Sequence, residues 1–459
     1  MLRCTGGVLV LFAASLAGAA GDRAEPRSEP SSSIGVGIQR TMTLLATSTA
    51  QRRNRVRILF YGQSITEQDW WKTVADDLRK RYPHADLDIQ NRAIGGFASQ
   101  MLIMPAEHDL YPWYPDLVIF HVYGAHDDYE RVIRSIRTRT TAEVLMQTDH
   151  VTRWPDPGAD EKTDKALWWD HMMNDVYLPD IARRYGCRLA DIRGGWLAHL
   201  RARGLEPAAL LKDGVHLNDD GCKLMASLVS RELVHRPDLP ADPWKGMVRT
   251  YTVGKEVRWE RGVLRMSFEG NRVDVISGRR ANDASSTCTV LVDGRPPSSF
   301  ADAYGITRPE PGPWSPLFIA RVDHDKPLLI EDWTLKVTEV SEDGKRWRFA
   351  VTGSITGSDG AGDNLTEFVS ESGRVRISPK AHFTGYGTTR PPVGYECRWK
   401  VLPLHADTFD LPVVTDPSRE YCTTLIQGIA NGKHVLEIRT ADGRPAPIQA
   451  LRIHKPPYH

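Results

Sequence analysis

The sequence predicts a doubly wound α/β domain followed by an all-β domain, and three observations predict it. Strand-like and helical runs alternate up to about residue 234. A proline-rich break then occupies residues 235–244 (HRPDLPADPW). Beyond it, short β-rich runs recur between turn signals. Strand–helix alternation builds a parallel sheet with helices on both faces, and such sheets bind ligands beyond the carboxyl ends of their strands. A chain of 459 residues also exceeds what one hydrophobic core ordinarily serves, so two or three domains are expected.

Taken in order, residues 56–61 are a β-rich run that stops at Gly62. Over 70–82 the apolar residues Trp71, Val74, Ala75 and Leu78 have helical spacing. Residues 87–93 are strand-like, and 117–123 and 142–147 are nearly all apolar, as parallel strands buried on both faces are. Residues 166–185 read as a helix whose Trp168, Trp169, Met172 and Met173 make core, and 188–191 as a short last strand. Asp219 or Asp220 caps a helix running to Leu233. In the second half, 263–268, 272–276, 288–292, 333–340, 346–351 and 434–438 read as strands, with turns at Asp293-Gly294, Asp343-Gly344 and Asn431-Gly432. This is the pattern of a β-sandwich or jelly roll. The expected domains are a signal peptide at 1–20, a leader at 21–50, the α/β domain at 51–234, a linker at 235–245 and the β domain at 246–459. The β domain carries a long insertion at about 300–421.

Hydrophobic content of 41% and charged content of 25% suit a soluble globular protein. Lys and Arg number 59 against 58 Asp and Glu, so no global field recruits nucleic acid or an anionic membrane. Arg3, the apolar residues 7–20 and the small residues Ala17-Gly18-Ala19 form a signal-peptide pattern too short to span a bilayer comfortably. The expected product is secreted, with no integral membrane segment after cleavage. Residues 21–33, rich in Pro, Ser, Arg and Glu, read as a flexible leader. The later cysteines, Cys187, Cys222, Cys288, Cys397 and Cys422, form no CxxC pair, which argues against a zinc cluster. Their odd number leaves at least one thiol unpaired, and the pairing is not readable from sequence. Asn364-Leu365-Thr366 is a glycosylation sequon.

Two short stretches carry chemistry. Gly62-Gln63-Ser64-Ile65-Thr66 follows the first buried strand directly. A nucleophilic serine needs exposure at a strand end and a backbone amide free to face an oxyanion, and small Gly62 allows the sharp turn. The competing reading is a serine turn that caps the next helix. Asp213-Gly214-Val215-His216 lies just before the last helix of the α/β region. A base histidine turns one ring nitrogen to serine while a carboxylate accepts the proton on the other, and an aspartate three residues earlier reaches it across a turn. No compact His/Asp/Glu cluster accompanies the pair, so no metal site is expected.

On these residues the region resembles the SGNH, or GDSL-like, hydrolase family, whose activities are mostly esterase and acyl hydrolase and whose fold is flavodoxin-like. The first block of the family is matched by Gly62 to Thr66, with Gln63 where Asp is commoner. The second is matched by Asn91-Arg92-Ala93-Ile94-Gly95-Gly96, and the last by Asp213 and His216. Order and spacing agree over residues 57–221. The third block departs: Gly124-Ala125-His126-Asp127 puts His126 where the family has an asparagine that donates to the oxyanion. Imidazole donates a hydrogen bond too, from its neutral tautomer or as the cation. In the β half, the runs starting at Gly270, Val290 and Gly432 resemble jelly-roll modules attached to some carbohydrate esterases.

The resemblance implies Ser64 as nucleophile, His216 as base and Asp213 as its orienting carboxylate. The oxyanion would be held by the amides of Ser64 and Gly95 or Gly96, with His126. Gln63, Trp70, Asp127 and His150 are candidate substrate contacts, since Trp70 follows the serine turn and Asp149-His150 ends the fourth strand. The expected activity is a secreted carboxylic-ester hydrolase that removes acyl groups, acetyl foremost, from a polysaccharide or glycoconjugate, with no cofactor. Two other readings stay open. One is a glycan-binding protein with an inactive domain of this fold. The other is an enzyme of this fold that cleaves a glycosidic bond with Asp127 or Glu130. Oligomeric state is not readable.

Overall fold

A computed structural model describes residues 33–241, 246–278, 287–309, 318–383 and 391–459. The expected signal peptide, residues 21–32 of the leader and part of the proline-rich linker lie outside these residues, whereas residues 39–46 of that leader form a helix with Met42 and Leu45 buried.

The first half is built from α1 (Gln39–Ala46), β1 (Arg55–Gly62), α2 (Ser64–Glu67), α3 (Trp70–Arg81), β2 (Asp86–Asn91) and β3 (Leu117–His121). It continues with α4 (His126–Arg139), β4 (Glu143–Gln147), α5 (Lys165–His171), α6 (Leu178–Tyr185), β5 (Arg188–Ala190), α7 (Ile192–Arg203) and α8 (Asp219–Glu232). The five strands are all parallel, in the order β2-β1-β3-β4-β5. Successive residues of a strand face opposite sides. Val56, Ile58 and Phe60 therefore join a core with Met42, Val74, Leu78, Trp196 and Met225, while Leu59 and Tyr61 join one with Tyr129, Val132, Ile136 and Ile181. β3 and β4 are buried along their whole length because both faces are covered, whereas β2 at the sheet's edge is half-buried. The chain leaves β1 for β2 on one side and returns to β3 on the other, so the crevice beyond β1 and β3 is the topological switch point of the sheet.

Two elements differ from the sequence expectation. The helix expected over 166–185 is interrupted by a π-helical stretch at Met172–Tyr177, and α5 buries none of its residues fully. Asn218, rather than Asp219 or Asp220, caps α8: its Oδ1 accepts from the amides of Asp220 at 3.1 Å and Gly221 at 3.0 Å. Both aspartates lie in the first turn, where negative charge favours the helix dipole.

A buried ion pair ties β5 to α8. Arg188 Nε donates to Glu232 Oε2 at 2.8 Å and Arg188 Nη2 to Oε1 at 3.1 Å, and the glutamate side chain is wholly buried. Glu232→Ala leaves the guanidinium charge buried without its carboxylate. The expected cost is about 3–5 kcal/mol of stability, to be read from chemical denaturation of the two proteins.

The paired strands described in the second half are antiparallel. Its larger sheet has two long strands, Val263–Ser277 and Cys422–Thr440, at its centre. A separate five-stranded sheet arises within the long insertion, around Asp332–Val340, Trp347–Gly353 and Glu396–Pro403. The two strands expected at 263–268 and 272–276 are one. Asp343-Gly344 turns between paired strands as expected, whereas Asn431-Gly432 sits inside the long strand, where the pairing register shifts.

The two halves are joined by polar contacts. Tyr114 Oη donates to Asn271 Oδ1 at 2.8 Å, Asn271 Nδ2 to the Arg139 carbonyl at 2.8 Å, and Gln427 Nε2 to the Tyr111 and Pro112 carbonyls. Arg308 pairs with buried Asp109 and donates to the Arg92 carbonyl at 2.8 Å. Phe383 packs edge-on against Phe97, just after Gly95-Gly96. No helix among the described residues is long and apolar enough to cross a membrane.

Candidate active site

The serine sits where β1 must stop. A Cβ at position 62 would lie 2.0 Å from the His121 carbonyl oxygen on neighbouring β3, so only glycine fits and the chain turns there. Ser64 opens the short α2, and the turn is pinned to the loop after β2. Asn91 Nδ2 donates to the Thr66 carbonyl at 2.6 Å, and the Ile94 amide donates to the Gly62 carbonyl at 2.9 Å. This brings Gly95 beside the serine turn. Among the described residues, the amides of Ser64 and Gly95 donate to no backbone acceptor.

The histidine arrives from the opposite end of the region. His216 Nε2 lies 2.9 Å from Ser64 Oγ, and its Nδ1 lies 2.8 Å from Asp213 Oδ2. A carboxylate only accepts, so Nδ1 carries the ring proton and Nε2 is left to accept from the serine hydroxyl. The other Asp213 oxygen accepts from the amides of His216 at 2.8 Å and Val215 at 3.2 Å. Burial works against its ionisation, but these amides and the imidazole outweigh it and hold the carboxyl below the usual range. Gly214 makes the turn in the left-handed region, with φ +85°. Gln68, four residues after the serine, clamps the next residue through both amide atoms. Its Nε2 donates to the Leu217 carbonyl at 2.8 Å and its Oε1 accepts from the Leu217 amide at 3.0 Å.

The other sequence candidates are distributed differently. Trp70 is 1% exposed, packs edge-on against Phe60 and donates from Nε1 to the Ile65 carbonyl, so it is core and not a substrate contact. His150 is equally buried and uses both ring nitrogens internally, which corrects its assignment to substrate. Gln63 is buried one residue before the serine, and its Nε2 has no partner among the described residues. Asp127 is exposed and pairs with His126 Nε2 at 2.9 Å. The His126 ring is stacked on Tyr177 at 3.9 Å between centroids and lies near Trp169. The partners of the His126 ring among the described residues are thus Asp127, Tyr177 and Trp169. Glu130 is ion-paired with Arg184 and accepts from the Tyr185 hydroxyl.

A further His–Asp pair, this one buried, lies near the ends of β3 and β4. His121 Nε2 donates to Asp149 Oδ1 at 2.9 Å, and Asn174 of the π-helical stretch donates to Asp149 Oδ2 at 3.1 Å while accepting from the Asp149 amide at 2.6 Å. π-Helical turns commonly mark places where a side chain has been re-aimed for function. Here the turn aims Asn174 at a carboxylate on the functional edge of the sheet.

Among the described residues no group of three or more His, Cys, Asp or Glu side chains could hold a metal ion. Cys187, Cys222, Cys288 and Cys422 are free thiols. The sequon asparagine is engaged in a turn, Asn364 Oδ1 accepting from the Trp347 amide and Nδ2 donating to the Lys345 carbonyl.

No protein-family model matches the sequence, and no curated protein sequence matches it. Among solved structures, the chain is similar to the acetylxylan esterase Axe2 from Geobacillus stearothermophilus. The two are 19% identical, with 41% of this chain and 98% of that one covered at a TM-score of 0.35. It is also similar to LAE5, an alpha/beta hydrolase enzyme from the metagenome of Lake Arreo, Spain (18% identity, 41% and 100% covered, TM-score 0.33). A GDSL-like lipase candidate from Parabacteroides merdae matches at 16% identity, with 40% and 99% covered and a TM-score of 0.33.

Proposed function

We propose that the α/β region is a serine esterase that removes acyl groups, acetyl foremost, from a polysaccharide or other glycoconjugate outside the cell. The observation that carries this is the unbroken hydrogen-bond chain from Ser64 Oγ through His216 to Asp213 at the switch point of the sheet. Ser64 Oγ attacks the ester carbonyl while its proton passes to His216 Nε2. The tetrahedral intermediate expels the sugar oxygen, which takes that proton, and leaves an acyl-serine. Water then attacks the acyl carbonyl, giving its proton to His216, and the serine is regenerated as the acid departs. The amides of Ser64 and Gly95 donate to no backbone acceptor and are free to face the developing oxyanion. The carbohydrate reading is supported by the half-buried aromatic side chains of Trp168, Trp169 and Tyr177 around His126, since sugar faces pack well on aromatic rings. Export rests on the apolar N-terminal stretch with its small-residue cleavage site.

Acetylated xylan and an aryl acetate are the substrates that test this, with labelling by a serine-directed phosphonate alongside. Acetate release without new reducing ends, together with labelling at Ser64, is expected. New reducing ends without acetate would replace the reading by glycosidic cleavage, and no turnover with no labelling would replace it by glycan binding.

His126 gives a second, independent check. Removing a donor from an oxyanion hole costs about 10²–10³ in kcat. His126 is committed to Tyr177 and Asp127, so His126→Ala is expected to lower kcat by less than about tenfold while raising KM through loss of the aromatic cluster.

A further inference from the structure

We infer that Tyr123 and His150 are positioning residues that fix the Asp213–His216 turn from inside the protein, so that the exposed base is held from its buried side. The inference rests on the esterase reading of that turn.

The need for such a hold is plain in the geometry. Asp213 is half exposed and Val215 is 43% exposed, and the hydrogen bonds of residues 212–216 run mostly within the loop itself. Among the described residues, two hydrogen bonds enter the loop 212–216 from elsewhere. One is the reacting contact with Ser64 Oγ, and the other joins His150 Nε2 to the Val215 carbonyl at 2.8 Å. Gln68 holds the next residue along, Leu217, so the base is gripped from the serine side at one end and from the loop after β4 at the other.

The His150 ring can donate in one sense alone. A carbonyl accepts, so Nε2 carries the proton, and Nδ1 must then accept from the Tyr123 hydroxyl 3.2 Å away. The phenol stays protonated: burial, with the Asp149 and Asp170 charges behind it, holds its pKa well above the ordinary value. The imidazole stays neutral: burial, with the nearby His121, lowers it to about 4. Trp196 packs against the ring and Tyr123 packs edge-on against His121, which leaves the pair little rotational freedom. The chain Tyr123 Oη–H to His150 Nδ1, His150 Nε2–H to Val215 C=O, therefore runs from the end of β3 to the base with every donor assigned. Its effect is to set where His216 Nε2 sits relative to Ser64 Oγ.

His150→Met keeps an unbranched side chain in the cavity and deletes the donor. His150→Gln returns an amide N–H near the Nε2 position, and Tyr123→Phe deletes the hydroxyl alone. The measurements are kcat and KM on an aryl acetate, the rate constant for phosphonate labelling of Ser64, and the thermal unfolding midpoint. A misplacement of about 1 Å at a reacting group costs on the order of 10²-fold. For His150→Met, kcat and the labelling rate are both expected to fall by about that factor with KM within about twofold. His150→Gln should recover most of the loss, and Tyr123→Phe should lose about tenfold with its fold intact. A His150→Met protein that labels as fast as wild type overturns the positioning role and leaves the esterase reading standing. Should that variant fail to fold, Tyr123→Phe decides: unchanged labelling overturns the proposal and a slowed one supports it. A wild type that does not label overturns the esterase reading, and the positioning role falls with it.

Discussion

Replacing Ser64 by alanine is expected to reduce kcat by about 10⁴–10⁶-fold while leaving the protein folded. The hydroxyl is the atom that becomes acylated, and its neighbours are already satisfied without it. The α2 turn is held by Asn91 and the Ile94 amide, neither of which touches the serine side chain. His216→Ala should cost about as much, and the double variant no more than either single change, because nucleophile and base act as one unit. Asp213 should behave differently. In a buried triad, losing the carboxylate costs about 10⁴ in kcat through a misplaced ring proton. Water reaches Asp213 and can solvate the imidazolium in its place. Asp213→Asn is therefore expected to cost on the order of 10²–10³. Single-turnover rates on one aryl ester give all four numbers. Equal rates for wild type and Ser64→Ala would remove the serine from the chemistry.

Stability should fall as the pH drops from about 6.5 to about 4. Three buried histidines, with the half-buried His382, are held neutral in the folded state. Burial is the first cause in each case, and their pKa values are about 3 for His108 and about 4 for His150, His382 and His454. The unfolded chain takes up protons near the ordinary value of about 6.5, whereas the native protein does not. Between the two values the unfolded state binds more protons, so acid favours it, by about 1.4 kcal/mol per pH unit for each histidine. The loss levels off once the folded-state values are passed. His108 has a direct reason to resist charging, since its Nε2 accepts from the Val322 amide at 3.2 Å. Asp274 adds nothing to this window. Burial opposes its ionisation, yet Arg272 and His454 outweigh burial and keep it ionised far below the usual range, so its contribution is lost only in stronger acid. Urea denaturation at half-unit steps between pH 4 and 7 measures the slope, and a flat profile would refute this account. His108→Asn should flatten the slope by about one proton's worth.

The α/β half was legible because its chemistry and its hydrophobic pattern are local. Gly62, Ser64, Asp213 and His216 each sit at a strand end or turn where sequence spacing fixes their place, and the central strands β1, β3 and β4 announce themselves by composition. What escaped lies between elements distant in the chain. No spacing rule links His150 to Val215, His121 to Asp149 or Gln68 to Leu217, and the π-helical turn is a register shift without a compositional mark. Trp70 and Trp71 are adjacent on a helix and differ mainly in angle. The sequence favoured Trp71 for the core and Trp70 for the pocket, whereas Trp70 is buried and Trp71 half-buried. At His126 the motif located the residue correctly at the head of α4, but a side chain's direction is set by its neighbours, here Tyr177 and Trp169. In the β half, an Asn-Gly pair read as a hairpin lies within a strand because Cys422–Thr440 pairs along its length with Val263–Ser277.

The seam between the halves bears on how such a protein can be recombined. Its contacts are reciprocal and largely buried: Tyr114 against Asn271, the Tyr111 and Pro112 carbonyls against Gln427, and Thr141 Oγ1 against His454, whose other nitrogen is bound to Asp274. A chimaera that joined this α/β region to an unrelated β partner at the proline-rich stretch would strand donors and acceptors on both sides. Each such buried group left unmade costs about 1–3 kcal/mol. Inheritance of the two halves is thereby coupled, and substitutions at Tyr114 or Asn271 should succeed in lineages only as matched pairs.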